Sequence, residues 1–328
     1  MSKFIKDCIY GHITIPPLCI SFMDTPEFQR LRRIRQLGVA YYAYPSATHT
    51  RFEHSIGVMH LAGKMVQQLR NYIFISDRQK ELIELAGMYH DIGHFSFSHL
   101  FDGFLVHQVH DDTLPKIFLH HHHEDRSVYF LRKVNTRLQL LSSADEQFVC
   151  DCITGYIPPG HLSFLYQIVC NKECGIDVDK MDYIKRDSYH TGFPDFQSDF
   201  IIHHAIIDPH NHLSFRTKVK ADISDLFLLR KTMHDRIYQH HTVLLLDKLF
   251  FCLMRRLSIK LYQYGELTDD FNIETLFRNS PETIELMHKI DNRQLHHECD
   301  LCSDYKPIKN IVASGTTETV RFYDKIIK

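Results

Sequence analysis

A chain of 328 residues, 44% hydrophobic and 24% charged, has the composition of a globular protein with a sizeable core, which excludes a disordered or low-complexity chain. Its formal net charge of -2 gives no global attraction to phosphate backbones, so nucleic-acid binding would need a local basic surface. Nine scattered cysteines without a signal-peptide pattern predict reduced thiols, no disulfides and a place inside the cell, in nucleus or cytoplasm.

The predicted elements are mostly helices. Asp24-Thr25-Pro26-Glu27 offers an N-cap acid, an early proline and a further acid, and Phe28, Leu31, Ile34 and Leu37 then recur at helical spacing until Gly38, which predicts a helix over 24–38. Over 51–72, Ile56, Met59, Ala62, Val66 and Leu69 share a face; over 79–90, Leu82, Leu85, Ala86 and Tyr89 do the same. Further helices are expected at 127–140, 144–154, 162–170 and 179–191. The segment 200–218 carries Asp208-Pro209-His210-Asn211 between two apolar runs and reads as a hairpin. Helix returns over 224–262, where the most apolar run is interrupted by Asp247 and Lys248 and falls short of the roughly 20 residues that span a bilayer; no membrane partner is expected. Beyond 262 the composition shifts to Asp270, Asn272, Asn279, Ser280 and Pro281, which predicts a core of 1–262 and a small appended subdomain over 263–328. Residues 320–328 alternate apolar and charged, as a strand or a tail would.

The compositional oddity is 25 histidines, a supply of neutral metal ligands. His90 and Asp91 end one predicted helix, with Gly93 to loosen the backbone and His94 one turn on; His54 and Asp179 open two others. Adjacent ligands share a metal only where the helix stops being regular, and mixed nitrogen and oxygen donors with open positions suit a catalytic Zn, Mn, Fe or Mg ion and hydrolysis. The competing reading is that His90 is a capping or core residue. Cys299-Asp300-Leu301-Cys302, preceded by His296 and His297, has half the spacing of a zinc site, against plain thiols. The run His120 to His123 reads as solvated loop up to His122, and Arg30, Arg32, Arg33 and Arg35 fall on several helix faces rather than in one nucleic-acid patch.

Read in order, several strings resemble one family. They are GHI at 11–13, DTPEFQRLRRIRQLG at 24–38, YPSATHTRFEHSIGV at 44–58, HDIGHFSFSHLFDG at 90–103, NKECGIDVDKMDYIKRD at 171–187 and RIYQH at 236–240. The chain resembles the sterile-alpha-motif and HD-domain deoxynucleoside triphosphate triphosphohydrolases of animals, over their HD core. The resemblance implies a mainly α fold, an HD-domain helical core with a small β-hairpin and a short C-terminal appendage. It implies His54, His90, Asp91 and Asp179 as ligands of a divalent metal. His94, His99, Asp102 and His123 fall around the scissile phosphate, with His123 as general acid to the leaving 5′ oxygen and Asp102 orienting it. Arg51, Lys180 and Arg230 match residues that grip the triphosphate, and Tyr183, Asp187, Gln36, Leu37, Tyr238 and Gln239 the sugar and base pocket. The implied reaction splits a dNTP into deoxynucleoside and inorganic triphosphate.

Partners follow from the same resemblance. Asp24, Gln29 and Arg32 match contacts to an activating guanine nucleotide, and Arg216 and Lys218 fall where a second nucleotide, GTP or dNTP, would be gripped, so a homo-oligomer, dimer or tetramer, is expected. The resemblance leaves no room before Lys6 for the sterile-alpha-motif domain. The loop 193–200 lacks the family's basic residue, and the chain stops at Lys328 before the C-terminal lobe that completes the activator sites. Two alternatives stay open: an HD phosphohydrolase acting on another nucleotide, and a catalytically silent regulatory paralogue that binds nucleotide or single-stranded nucleic acid.

Overall fold

The computed structural model describes residues 2–106, 116–257, 260–261, 264–295 and 319–323, and among these the fold is mainly α. A hairpin, β1 (Lys3–Asp7) and β2 (Gly11–Ile15), pairs antiparallel. Two short helices follow, α1 (Pro17–Met23) and α2 (Pro26–Gln29). Then come α3 (Arg51–Leu69), α4 (Asp77–Tyr89), α5 (His99–Val106), α6 (His123–Leu138) and α7 (Ser143–Thr154). The chain continues through α8 (Ser163–Tyr166), α9 (Val178–Thr191) and α10 (Ser198–His203). Strands β3 (Ala205–Ile207) and β4 (Leu213–Arg216) precede α11 (Lys220–Met233), α12 (His241–Arg256), α13 (Asp270–Asn279) and α14 (Ile284–Asp291).

Helices α3 and α4 are the frame. Each begins in a capping box, Thr50 with Glu53 and Ser76 with Gln79, which satisfies amides the first turn leaves open. Their apolar faces then bury Ile56, Met59, Leu82 and Leu85, among others, in one hydrophobic cluster that also takes in Phe250, Phe277 and Ile290. Such side chains each contribute about 1.5–3 kcal/mol on full burial. The residues described beyond 262 thus pack into the same cluster as the rest of the chain. The predicted hairpin at 200–218 is present as β3 and β4, and β5 (Phe322–Tyr323) adds in parallel to β4.

Three predicted helices differ. The segment 24–38 is not one helix: Thr25 is the N-cap, α2 lasts one turn, Arg30–Arg33 tightens into a 3-10 turn, and Ile34 is extended so that Arg35 bridges Thr50. Phe28, Leu31 and Ile34 are buried all the same. The reason is Arg30, whose buried guanidinium donates to the carbonyls of Ile92 (2.6 Å), His94 (2.8 Å) and Thr268 (3.0 Å) and so ties three segments at this point. Over 162–170 only α8 forms. The long helix at 224–262 is broken by a widened turn at His234–Tyr238 between α11 and α12. Among the described residues Cys8, Cys19, Cys150, Cys152, Cys170 and Cys174 are free thiols. The Cys299–Cys302 string lies outside the described residues.

Candidate active site

Four side chains from three helices meet at one point. His54 sits in the first turn of α3, His90 closes α4 as its C-cap, Asp91 follows, and Asp179 lies in the first turn of α9, whose start is fixed by Asp177 accepting the Lys180 amide at 2.9 Å. The Nε2 of His54 is 3.3 Å from Nε2 of His90, 3.2 Å from Asp179 Oδ1 and 3.4 Å from Asp91 Oδ2. The Nε2 of His90 is 3.3 Å from Asp179 Oδ1 and 3.4 Å from Asp91 Oδ1.

His54 Nδ1 lies 2.8 Å from Asp182 Oδ2 and His90 Nδ1 lies 2.8 Å from the Gly87 carbonyl. Both partners only accept, so each Nδ1 holds a ring proton and Nε2 is the nitrogen left to face an ion. Two imidazoles and two carboxylates thus converge, and against burial the acids raise both rings, His54 to about 10, so that a divalent ion would stand where those ring protons do. Donors held at about 2.0–2.2 Å from a common ion lie roughly 3–3.5 Å from each other, which is the spacing found. The cluster fits a divalent metal. Burial alone would raise the Asp91 carboxyl, but Arg51, His90 and His94 outweigh it and hold it well below the usual range.

Beside this cluster stand three imidazoles. His94 stacks on His123 at 4.0 Å, and His99 meets both edge-on at 4.8 and 5.4 Å. His94 is fully buried, and neither ring nitrogen has a hydrogen-bond partner among the described residues; burial, then the charges of Arg51 and His123, holds it well below its ordinary value and hence neutral. His123 opens α6, its Nε2 3.8 Å from Asp91 and its Nδ1 3.8 Å from Asp102 Oδ2. Asp102 bonds His99 Nδ1 directly at 3.2 Å, and its other oxygen takes the guanidinium of Arg126. Gly93 does not supply backbone freedom, as the sequence suggested. It lets α6 come close, because a Cβ there would stand 2.1 Å from the His123 carbonyl oxygen.

The loop between these histidines is strained. Phe97 and Ser98 have φ of 61° and 57°, a left-handed conformation that costs non-glycine residues on the order of 1 kcal/mol or more each. Asp270 of α13 holds it by accepting the Phe97 amide at 2.7 Å and the Arg35 amide at 3.0 Å. Ser98 Oγ takes the Arg51 Nε hydrogen at 2.8 Å and donates to the Arg35 carbonyl.

His90, Asp91 and Asp179 line a cavity of about 530 Å³. Its walls include Arg51, Lys180 and Arg230, the three residues assigned to the triphosphate, and also Gln36, Leu37, Tyr183, Asp187, Tyr238 and Gln239. Arg51 is buried against Asp91, while Lys180 Nζ rests on Asp177 at 2.9 Å and Arg230 Nε donates to the Tyr183 hydroxyl at 3.0 Å. Asp187 is doubly engaged: its oxygens take His49 Nε2 at 2.7 Å and the Tyr238 hydroxyl at 2.5 Å.

The activator positions lie elsewhere. Asp24 pairs with Lys3 at 2.5 Å, Gln29 accepts from Arg32 Nε at 2.8 Å, and the Arg32 guanidinium sits 3.5 Å over Phe52. Arg216 reaches the Tyr72 hydroxyl at 3.4 Å, and Lys218 lies 5.4 Å over Phe200. The arginine cluster makes no basic patch: Arg30 is buried, Arg33 is 3.8 Å from Asp269, and Arg35 is 2.7 Å from Glu274.

Sequence reasoning missed Asp182 and Arg126. Asp182 orients His54 and is itself gripped by Arg186 through bonds of 2.9 and 3.0 Å; burial would raise its carboxyl, but Arg186 and His54 lower it to about 2. Its spacing of three from Asp179 on α9 was the available signal. Asp182→Asn keeps the shape but weakens the hold on the His54 tautomer, so divalent-metal affinity should fall by about 10–100-fold, read by metal titration; an unchanged affinity would remove Asp182 from this role.

A family model described as HD domain matches residues 51–186, the span from the first residue of α3 to the late turns of α9. The deoxynucleoside triphosphate triphosphohydrolase SAMHD1 of Gallus gallus is 34% identical over 90% of this chain and 55% of its own length. Its namesake in Homo sapiens is 33% identical over 89% of this chain and 54% of its own length. The homologue in Dictyostelium discoideum is 33% identical over 99% of this chain and 61% of its own. The chain thus spans a little over half the length of these relatives. No helix among the described residues is long and apolar enough to cross a membrane. Over residues 51–186 the chain matches the HD-domain model, and over most of its own length it is similar to the deoxynucleoside triphosphate triphosphohydrolases.

Proposed function

We propose that the chain is a metal-dependent hydrolase that splits deoxynucleoside triphosphates into deoxynucleoside and inorganic triphosphate. The observation that carries this reading is the junction of two sites: a converging His54, His90, Asp91 and Asp179 cluster, three of which line the cavity, and a cationic wall of Arg51, Lys180 and Arg230 in the same cavity. A divalent ion held by those four residues, Zn, Mn, Fe or Mg, supplies positive charge to a phosphoryl oxygen and eases deprotonation of water.

The remaining work falls to the chain's own side chains. Lys180 and Arg230 offset the charge of the polyphosphate. His123, beside His94 and within 3.8 Å of Asp102, is the group that delivers a proton to the leaving 5′ oxygen. Burial lowers its pKa from the ordinary imidazole value, and a polyanion brought alongside raises it again, which makes it an acid suited to neutral pH. Tyr183 and Tyr238 flank the sugar, and Asp187, held by His49, offers its oxygens to the 3′ hydroxyl. A tyrosine packed against C2′ would exclude a ribose hydroxyl, which gives the deoxy preference.

Activation belongs to the same reading. Asp24, Gln29 and Arg32 form a surface cluster that would take a guanine nucleotide, and Arg216 and Lys218 a second nucleotide, linking copies into a dimer or tetramer. Purified protein with Mn or Mg is assayed against dNTPs, NTPs, deoxynucleoside monophosphates and cyclic nucleotides, with and without GTP. Turnover of dNTPs at least tenfold faster than of the others supports the reading; turnover confined to monophosphates or cyclic diesters overturns it.

A further inference from the structure

Asp247 is a carboxyl without a partner in a wall that is otherwise apolar. It lies on α12, and Val243 and Leu244, four and three residues before it, line the same cavity, a spacing that places all three on one helical face. Helix α12 packs across the Gly38–Tyr42 turn and across α5, anchored by Phe250 against Phe97 at 5.0 Å and Phe251 against Phe104 at 6.1 Å. The cavity wall contributed by those two elements includes Gly38, Ala40, Leu100 and Gly103.

Among the described residues no hydrogen-bond donor or cation meets Asp247, and burial alone pushes its carboxyl up to about 7. Asp247 is half-buried and faces the cavity, and Gln36 Oε1, in the same cavity, is a buried acceptor without a partner among the described residues. Acceptors left unpaired in a shielded cavity are unfavourable, so what fills this part of the cavity best brings donors. It cannot be the polyphosphate, which a carboxylate repels. The metal cluster, Lys180 and Arg230 hold the cationic side of the cavity, and the Tyr183, Asp187 and Tyr238 group holds the sugar. The apolar slot under α12 is left for the base.

We infer that Asp247 reads the hydrogen-bonding edge of the nucleobase and biases the cavity toward guanine. Guanine carries a ring N–H and an exocyclic amino group side by side, which match the two oxygens of a carboxylate. Adenine and cytosine offer one amino group beside a ring acceptor. Thymine offers a single N–H between two carbonyls that oppose the carboxylate. The inference rests on the deoxynucleotide reading above and names the base that site selects.

The test is the ratio of kcat/KM for dGTP to that for dTTP, in the wild-type chain and in Asp247→Asn and Asp247→Leu, with melting curves to confirm folding. A bidentate pair discriminates by a factor of about 5 to 150. The wild-type ratio should exceed one, and both substitutions should lower it by about tenfold or more. A ratio unchanged within twofold in folded variants that still hydrolyse both nucleotides overturns the inference and leaves the deoxynucleotide reading intact. A wild-type chain that hydrolyses neither overturns that reading and this inference together.

Discussion

Asp179→Ala is expected to abolish both metal retention and turnover while leaving the fold in place. Asp179 gives its Oδ1 to the point where His54 and His90 meet, at 3.2 and 3.3 Å, and its side chain is 29% exposed, so its removal strands no buried charge. The two imidazoles keep their orientation through Asp182 and the Gly87 carbonyl. What is lost is one charged ligand of four and the electrostatic contribution of the ion, worth several kcal/mol in the transition state, or on the order of 1,000-fold in rate. Metal content by mass spectrometry, kcat and the melting temperature are the measurements. Full turnover by a metal-free variant would contradict the assignment of the cluster.

The second large effect concerns stability. Arg126 is fully buried, donating from Nε to the Gly93 carbonyl at 2.8 Å and from Nη1 to the His120 carbonyl at 2.6 Å, and it pairs with Asp102. It therefore ties the start of α6, and with it His123, to the loop that carries His94. Arg126→Met removes the cation and leaves a buried carboxylate facing two unsatisfied carbonyls. Breaking one side of such a pair costs about 3–5 kcal/mol, which urea denaturation would register as a lower midpoint. Removing the stranded charge as well, in Arg126→Met with Asp102→Asn, should recover part of that loss. A single-variant loss under about 1 kcal/mol would mean that water reaches the pair.

The sequence made the helical frame readable because α3, α4, α7 and α9 carry apolar residues at a period that only a helix buries. It misled at 24–38 for the same reason: Phe28, Leu31 and Ile34 are buried, but through one helical turn, a 3-10 turn and an extended residue. The force that bends this segment is Arg30 bonding carbonyls as far away as Thr268, and backbone acceptors distant in sequence leave no pattern to read. The break at His234–Tyr238 is hidden in the same way, inside a run whose composition is helical throughout.

For the site, composition and spacing went as far as His90 and Asp91 at a helix end, with His54 and Asp179 opening two others. The residue roles and the cavity residues came from the resemblance of ordered strings to a known family. The residues that hold them were not legible. Asp182 looks like any polar residue of an amphipathic helix, Arg126 like any surface arginine, and Asp270 like part of an appended segment. Each acts through burial and through bonds to groups many residues away. Asp247 read as an interruption of an apolar run, where the folded chain turns it into the cavity.

The most direct measurement is product identity: the metal-loaded chain is incubated with dGTP and the products are separated by ion-exchange chromatography. Deoxyguanosine and inorganic triphosphate in equal amounts, absent with Asp179→Ala, is the result this account predicts. Deoxyguanosine monophosphate with pyrophosphate, or binding of dGTP without any product under every metal and activator, would contradict it.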